Sequence, residues 1–261
     1  RPCRSDCQGG HTMTTLKSAE ELQRLRESNR LVAEVMQNLL EMVEPSISTL
    51  DLDVEADRLI RERGAIPAFK GYRDYPNTIC ASVNEQVVHG IPSSRKLREG
   101  DLVSIDVGVR YRDFYGDMCR TVPVGKISAS AERQIQTARI CLSEACNRAV
   151  VGNRLGDICM TIEAIAHRNG YEVVRDYVGH GIGRRLHEDP QIPNFGIPRP
   201  NIRLRPGLVL AIEPMLNAGN WEVERLSDEW TVITKDRKLS VHFEDVVAVT
   251  EDGPEILTRV D

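Results

Sequence analysis

Four carboxylates and one histidine stand where a buried strand or a tight glycine turn should be apolar. They constrain this 261-residue chain more than any other feature. They lie in Ser104-Ile105-Asp106-Val107-Gly108 followed by Tyr115-Gly116-Asp117, in Gly179-His180-Gly181, in Ala211-Ile212-Glu213-Pro214, and in His242-Phe243-Glu244-Asp245. Burying one unpaired carboxylate costs several kcal/mol. A chain that does so four times needs compensating positive charge. Two divalent cations nearly balance four carboxylates and one neutral imidazole, so the pattern predicts a two-metal hydrolytic site.

Strand periodicity supports the same reading. In the strand predicted over 102–109, Val103, Ile105, Val107 and Val109 share one face and Asp106 points from the other. A hairpin through Arg110 to Asp113 returns Asp117 toward Asp106. Two carboxylates about 4 Å apart repel by about 4 kcal/mol at an effective dielectric near 20 unless a cation lies between them. Glu213 ends the apolar run Leu208-Val209-Leu210-Ala211-Ile212, with Pro214 stopping the strand. Glu244 precedes Val246-Val247-Ala248-Val249. The glycines beside His180 read as a turn that lets the backbone approach closely and exposes the imidazole. This oxygen-rich donor set with one imidazole suits Mn(II), Fe(II), Co(II) or Zn(II). It does not suit a structural zinc site, which would use thiolates. His89 and His187 remain as donors to a substrate carbonyl or tetrahedral intermediate. His11, His167 and His242 are assigned plainer places: the tail, a helix surface, and a strand neighbour of Glu244.

The net charge of −5 gives no electrostatic reason to expect nucleic acid or an anionic membrane as partner. No apolar run approaches the roughly 18 residues a membrane span needs. The polar N-terminus and the scattered cysteines, with no Cys-x-x-Cys pair, predict a reduced, cytoplasmic protein. Residues 1–12 lack apolar periodicity and read as a disordered extension or cloning remnant. Cys3, Cys7 and His11 give only a weak metal-tag signal there, and Met13 reads as a natural start. Residues 13–261 are expected to form a single catalytic domain of α+β class.

Within it, a capping box at Ser18-Ala19-Glu20-Glu21 opens a long amphipathic helix to Val43 or Glu44. A second helix runs from Ser48 or Thr49 to Gly64. Thr78 to Val83 is a strand, 84–92 a loop carrying His89, and Leu102 to Val109 and Tyr115 to Val122 are strands. A long helix from Ser128 or Ser130 to about Val151 and a helix capped by Asp157 follow, then a strand Tyr171 to Val174. A proline-rich loop spans Pro190 to Pro206. Strands are predicted at Leu208 to Glu213, Trp230 to Ile233 and Val241 to Val249. Long helix, shorter helix and strands thus occur twice, an internal echo of element order.

Taken together, Asp106, Asp117, His180, Glu213 and Glu244 resemble, in order and context, the five metal ligands of the methionine aminopeptidases. The likeness covers 16–259 and includes Val83-Asn84-Glu85, His89-Gly90-Ile91-Pro92, Gly179-His180-Gly181-Ile182-Gly183 and Ile212-Glu213-Pro214-Met215. It implies the pita-bread fold, two pseudo-symmetric α/β halves around a central antiparallel sheet. It implies that Asp117 and Glu244 bridge two metal ions, that Asp106 chelates one, and that His180 and Glu213 complete the other. A bridging water or hydroxide would be the nucleophile and Glu213 its proton carrier. His89 would contact the scissile amide and His187 the substrate carbonyl. Phe69, Tyr72, Tyr75, Cys80, Leu186 and Trp230 would line the methionine pocket, although an aromatic is common at the Leu186 position and a small residue at Phe69. With only loops and strands between His180 and Glu244, the chain resembles type I, without the zinc-finger extension of that type's eukaryotic forms. The implied activity is removal of the initiator methionine ahead of a small second residue. The implied partners are N-terminal Met peptides and nascent chains, with a transient ribosome contact, no membrane, no specific nucleic acid, and a monomeric state. The alternatives are a Xaa-Pro aminopeptidase or prolidase-like hydrolase and a non-enzymatic binding module of the same fold.

Overall fold

A computed structural model describes residues 14–196 and 201–259, so the expected extension over 1–12 lies outside the described residues. The first helix starts where its cap predicts. The Ser18 hydroxyl accepts the Glu21 N–H, and the Glu21 carboxylate accepts the Ser18 N–H. This opens α1 (Ala19–Glu41). Ser48 and Asp51 repeat the device for α2 (Thr49–Glu62), and Gly64 at φ +71 follows its end. The second pair is α3 (Ala129–Asn147) and α4 (Leu155–Arg168). Helix α3 stops short of the expected Val151. Helix α4 is capped at Arg154 rather than Asp157, which sits in the first turn and accepts the Arg154 N–H at 2.7 Å.

The strands are β1 (Ile66–Pro67), β2 (Ile79–Val83), β3 (Gln86–Val88), β4 (Leu102–Tyr111), β5 (Phe114–Pro123), β6 (Glu172–Val173), β7 (Gly179–Gly181) and β8 (Glu188–Ile192). They continue as β9 (Val209–Ile212), β10 (Met215–Asn217), β11 (Val223–Arg225), β12 (Val232–Thr234), β13 (Ser240–His242), β14 (Asp245–Thr250) and β15 (Gly253–Ile256). All pairings are antiparallel. Strand β4 pairs with β5 on one edge and with β2 and β1 on the other. The second large sheet has the order β15-β14-β9-β7-β8. The two meet where Glu244 N–H donates to the Cys119 carbonyl at 3.0 Å.

Each helical pair buries one face of one sheet. Helices α1 and α2 cover Val103, Ile105, Val107 and Val109, the face expected from alternation. Helices α3 and α4 cover Leu208, Leu210, Ile212, Val247 and Val249. The intervening residues Val209, Ala211, Val246 and Ala248 turn the other way, toward Phe69, Tyr75 and Cys80. The echo of element order is therefore an echo of architecture, mixed α+β with antiparallel sheets.

Several expectations need correction. The predicted loop over 84–92 contains β3, and the start of the proline-rich loop is β8. The short strands β10, β11 and β15 carry polar or turn-forming residues and show no clear alternation. Gly179-His180-Gly181 is a strand, not a turn. Its glycines are there because a Cβ on Gly179 would stand 2.5 Å from the Ala211 carbonyl oxygen, and one on Gly181 would strike the Asp189 carbonyl. The strand expected over 241–249 is cut at Phe243-Glu244 into β13 and β14. The one expected at 230–233 begins at Val232, because Asp228 accepts the N–H groups of Trp230 and Thr231 in a turn.

Candidate metal centre

The break between β13 and β14 faces an equal break between β9 and β10. Ile212 pairs with Asp245, and Met215 pairs with His242. The same register runs on across the gap, so Glu213 stands opposite Glu244, and Phe243 N–H donates to the Pro214 carbonyl at 3.2 Å. His180, on the neighbouring strand β7, pairs with Ala211. In the other half Asp106 pairs with Cys119, and Asp117 pairs with Gly108 two residues further along. The two aspartates are thus diagonal neighbours on one face, and Cys119 links them to Glu244. All five residues named from the sequence come to one seam.

The distances are short. His180 Nε2 lies 3.7 Å from Glu213 Oε1 and 3.9 Å from Asp117 Oδ2. One ligand atom each from Asp117, His180 and Glu244 lies within 4.8 Å of the others. The same holds for Glu213, His242 and Glu244. His180 Nδ1 donates to its neighbour's carbonyl, Gly181 O, at 2.9 Å, which leaves the Nε2 lone pair facing the carboxylates.

Among the described residues no lysine or arginine side chain pairs with a carboxylate of this cluster. Asp106 Oδ1, Asp117 Oδ1 and Glu244 Oε1 are buried and have no hydrogen-bond partner among the described residues. Burial raises the pKa of Asp106 and of Glu213 to about 7. It drives Asp117 and Glu244 upward as well, with the neighbouring carboxylates adding to the effect. Arg120, whose backbone neighbours the cluster at Cys119, is committed elsewhere: it donates to the Glu244 carbonyl and to Asp245, both at 2.6 Å. Orphaned anionic oxygens around one imidazole nitrogen fit hard or borderline divalent cations.

The predicted pocket residues Phe69, Tyr75, Cys80 and Leu186 are buried in one cluster beside the seam, with Tyr72 and Trp230 packed against it. The Phe69 ring lies where a side chain on Gly108 would be. Tyr75 donates its hydroxyl to the carbonyls of Ile79 and Gly90, at 2.9 and 3.1 Å, and meets Trp230 edge-on. Burial, then the Asp106 charge, pushes the Cys80 thiol up, so it is a protonated apolar lining group.

His89 and His187 flank the carboxylates. His187 lies 4.3 Å from His180, ring to ring, and its Nδ1 is 2.8 Å from the Tyr72 hydroxyl. His89 adopts φ +58 and packs edge-on against Tyr177 and Trp230. Gly90 fixes that loop, since a Cβ there would stand 2.5 Å from the Ala81 carbonyl oxygen. Burial lowers His89 to about 4 and His187 to about 3, so both are neutral N–H donors at pH 7.

The structure adds His242, Tyr177 and Asn194 to the surroundings of the carboxylates. His242 is buried, with Nε2 3.6 Å from Glu213 Oε2. The period of two that places Glu244 on the inner face places His242 there as well, and that signal was available. Asn194, which donates to the Glu213 carbonyl at 3.0 Å, carries no such signal.

Comparison with known proteins agrees with this geometry. A model of metallopeptidase family M24 matches residues 23–251. Methionine aminopeptidase 1 of Bacillus subtilis is 47% identical over 248 residues, covering 95% of this chain and 100% of that protein. The crystal structure of methionine aminopeptidase from Thermotoga maritima superposes with a TM-score of 0.93 at 39% identity, over 95% of this chain and 100% of the other. The prolidase from Pyrococcus horikoshii has a TM-score of 0.77 at 22% identity, over 94% of this chain and 64% of the other, a likeness of fold alone.

Proposed function

The chain belongs to metallopeptidase family M24, and from that premise we propose that it removes the initiator methionine from nascent proteins and peptides by hydrolysing the first peptide bond. The fold is the pita-bread fold of that family. The observation that carries the activity is the set of buried carboxylate oxygens without partners, set beside an apolar, aromatic and thiol-lined pocket.

Asp106, Asp117, His180, Glu213 and Glu244 would hold two divalent ions. Such ions supply Lewis acidity, lowering the pKa of water and polarising the scissile carbonyl. The remaining tasks fall to the chain's own side chains. Glu213 would take a proton from the attacking water and return it to the departing amine. His187 would accept the Tyr72 hydroxyl hydrogen bond at Nδ1 and donate from Nε2–H to the substrate carbonyl. His89 donates to the scissile amide from a loop fixed by Gly90. The pocket of Phe69, Tyr72, Tyr75, Cys80, Leu186 and Trp230 takes the thioether, whose sulfur contacts aromatic faces favourably. The residue after methionine is small.

Residues 13–261 act as one catalytic unit, a monomer in the cytoplasm that meets the ribosome transiently. Among the described residues no helix is long and apolar enough to cross a membrane. The test is hydrolysis of Met-Ala-Ser by metal-stripped protein, before and after addition of Mn(II), Co(II) or Fe(II). Activity returns with metal, while Asp106→Ala stays more than about 100-fold lower, beyond the range of changes outside the ligand shell. Cleavage of Xaa-Pro peptides instead, or of no peptide with any metal, would overturn the reading.

A further inference from the structure

The Glu213 carboxylate lies between two imidazoles, and only one of them belongs to the ligand set proposed above. His180 Nε2 is 3.7 Å from Oε1, and His242 Nε2 is 3.6 Å from Oε2. The backbone of Glu213 and of His242 is held. Asn194 donates to the Glu213 carbonyl at 3.0 Å. The His242 N–H donates to Thr121 Oγ1 at 2.9 Å, and the Thr121 hydroxyl lies 2.8 Å from the His242 carbonyl. His242 is almost wholly buried, yet its Nε2 has no hydrogen-bond partner among the described residues. A buried imidazole nitrogen aimed at a carboxylate from just outside bonding distance is a polar group with a task.

The two histidines differ in what their other ring nitrogen does. A metal-ligating imidazole usually donates its second N–H to a carbonyl or carboxylate, which fixes the tautomer. His180 does so through Nδ1 to Gly181 O. Among the described residues the His242 ring donates to no carbonyl, so nothing commits its proton to Nδ1. The proton is best placed on Nε2, facing Glu213. An approach of about half an ångström brings the pair to hydrogen-bond length.

We propose that His242 is a positioning residue for Glu213: its Nε2–H donates to Oε2 and turns Oε1 toward His180. The inference rests on the reading of Glu213 as ligand and proton carrier. His242 thereby fixes which oxygen of Glu213 faces the ligand cluster and which is held in reserve. It acts on the chemical step through Glu213, without adding a sixth ligand.

The experiment pairs His242→Gln, which keeps an N–H donor, with His242→Leu, which keeps bulk and loses the donor. Each full-length variant is assayed on Met-Ala-Ser, and its Mn(II) stoichiometry and affinity are measured by calorimetry. The Leu variant is expected to lose about 10- to 100-fold in kcat at nearly unchanged KM and Mn(II) affinity, with the Gln variant recovering most of the loss. An unchanged kcat in the Leu variant overturns the proposal. So does loss of one Mn(II) equivalent, which would make His242 a ligand. If the Leu variant does not fold, nitrogen-15 NMR of the histidine rings in metal-free wild-type protein decides: the Nε2–H tautomer at His242 supports the proposal, and Nδ1–H overturns it. Wild-type protein that binds Mn(II) yet cleaves no Met peptide would count against the proposed function, while the NMR result would still judge the His242–Glu213 pair.

Discussion

A glycine sets the shape of the pocket. Gly108 faces Asp117 across the ladder, and the Phe69 ring fills the space its missing side chain leaves. The backbone φ of Gly108 is not in the left-handed region, so its need for glycine is steric. Gly108→Ala should therefore cost about 1–3 kcal/mol, as overpacking does. The penalty should shrink in the double variant Gly108→Ala/Phe69→Ala, because the ring is the obstacle and contacting residues couple in such cycles. Urea denaturation of the four proteins measures this. Strictly additive losses would show that Phe69 is not what Gly108 accommodates. The same contact shows why a large aromatic is tolerated at Phe69, where the family resemblance has a small residue as the common choice.

At the scale of elements, the strand β7 exists only because its two outer residues lack side chains. Gly181 lies against the Asp189 carbonyl of β8, and Gly179 against the Ala211 carbonyl of β9. Those contacts bring His180 into register with Ala211, two residues from Glu213. Gly181→Ala should cost about 1–3 kcal/mol, because the obstacle is backbone and cannot swing aside. It should also weaken Mn(II) binding by displacing the imidazole. A melting curve and a calorimetric titration check both, and a variant with normal metal affinity would show that β7 tolerates the shift. The helices need no such device. Ser18 with Glu21 and Ser48 with Asp51 close their caps locally, which is why these boundaries were readable from the sequence.

For the whole molecule, the cluster sets a pH dependence. Asp106 and Glu213 have folded pKa values raised to about 7, above the ordinary carboxylate range near 4. Between those values the folded metal-free protein binds more protons than the unfolded chain. Its stability is therefore fully present below about pH 4 as far as these groups are concerned, and falls as pH rises through about 7. Divalent cations bind the deprotonated forms and remove the penalty. The Tm gap between Mn(II)-loaded and chelated protein should thus widen from about pH 5.5 to about pH 8. A gap that stays constant or narrows would mean that the carboxylates are already paired without metal.

The sequence by itself determined which residues could form the site. A carboxylate or imidazole in an apolar strand is a local anomaly, and alternation says which face it takes, as with Asp106 against Val103, Ile105, Val107 and Val109. Helix starts, and the doubled order of helices and strands, were legible for the same reason: caps and periods act over a few residues. Only the tertiary structure decided how the pieces meet. The twin breaks at Glu213-Pro214 and Phe243-Glu244 face each other because two strands share one register across sheets. The bridge from Cys119 to Glu244 then joins the halves at the seam. His242 shows the boundary between the two. Its face follows from the same period of two that was read for Asp106 in the strand over 102–109. Its nearness to Glu213 depends on a strand pairing some thirty residues distant, and long-range pairing is set by packing of the whole chain, not by any local run of residues.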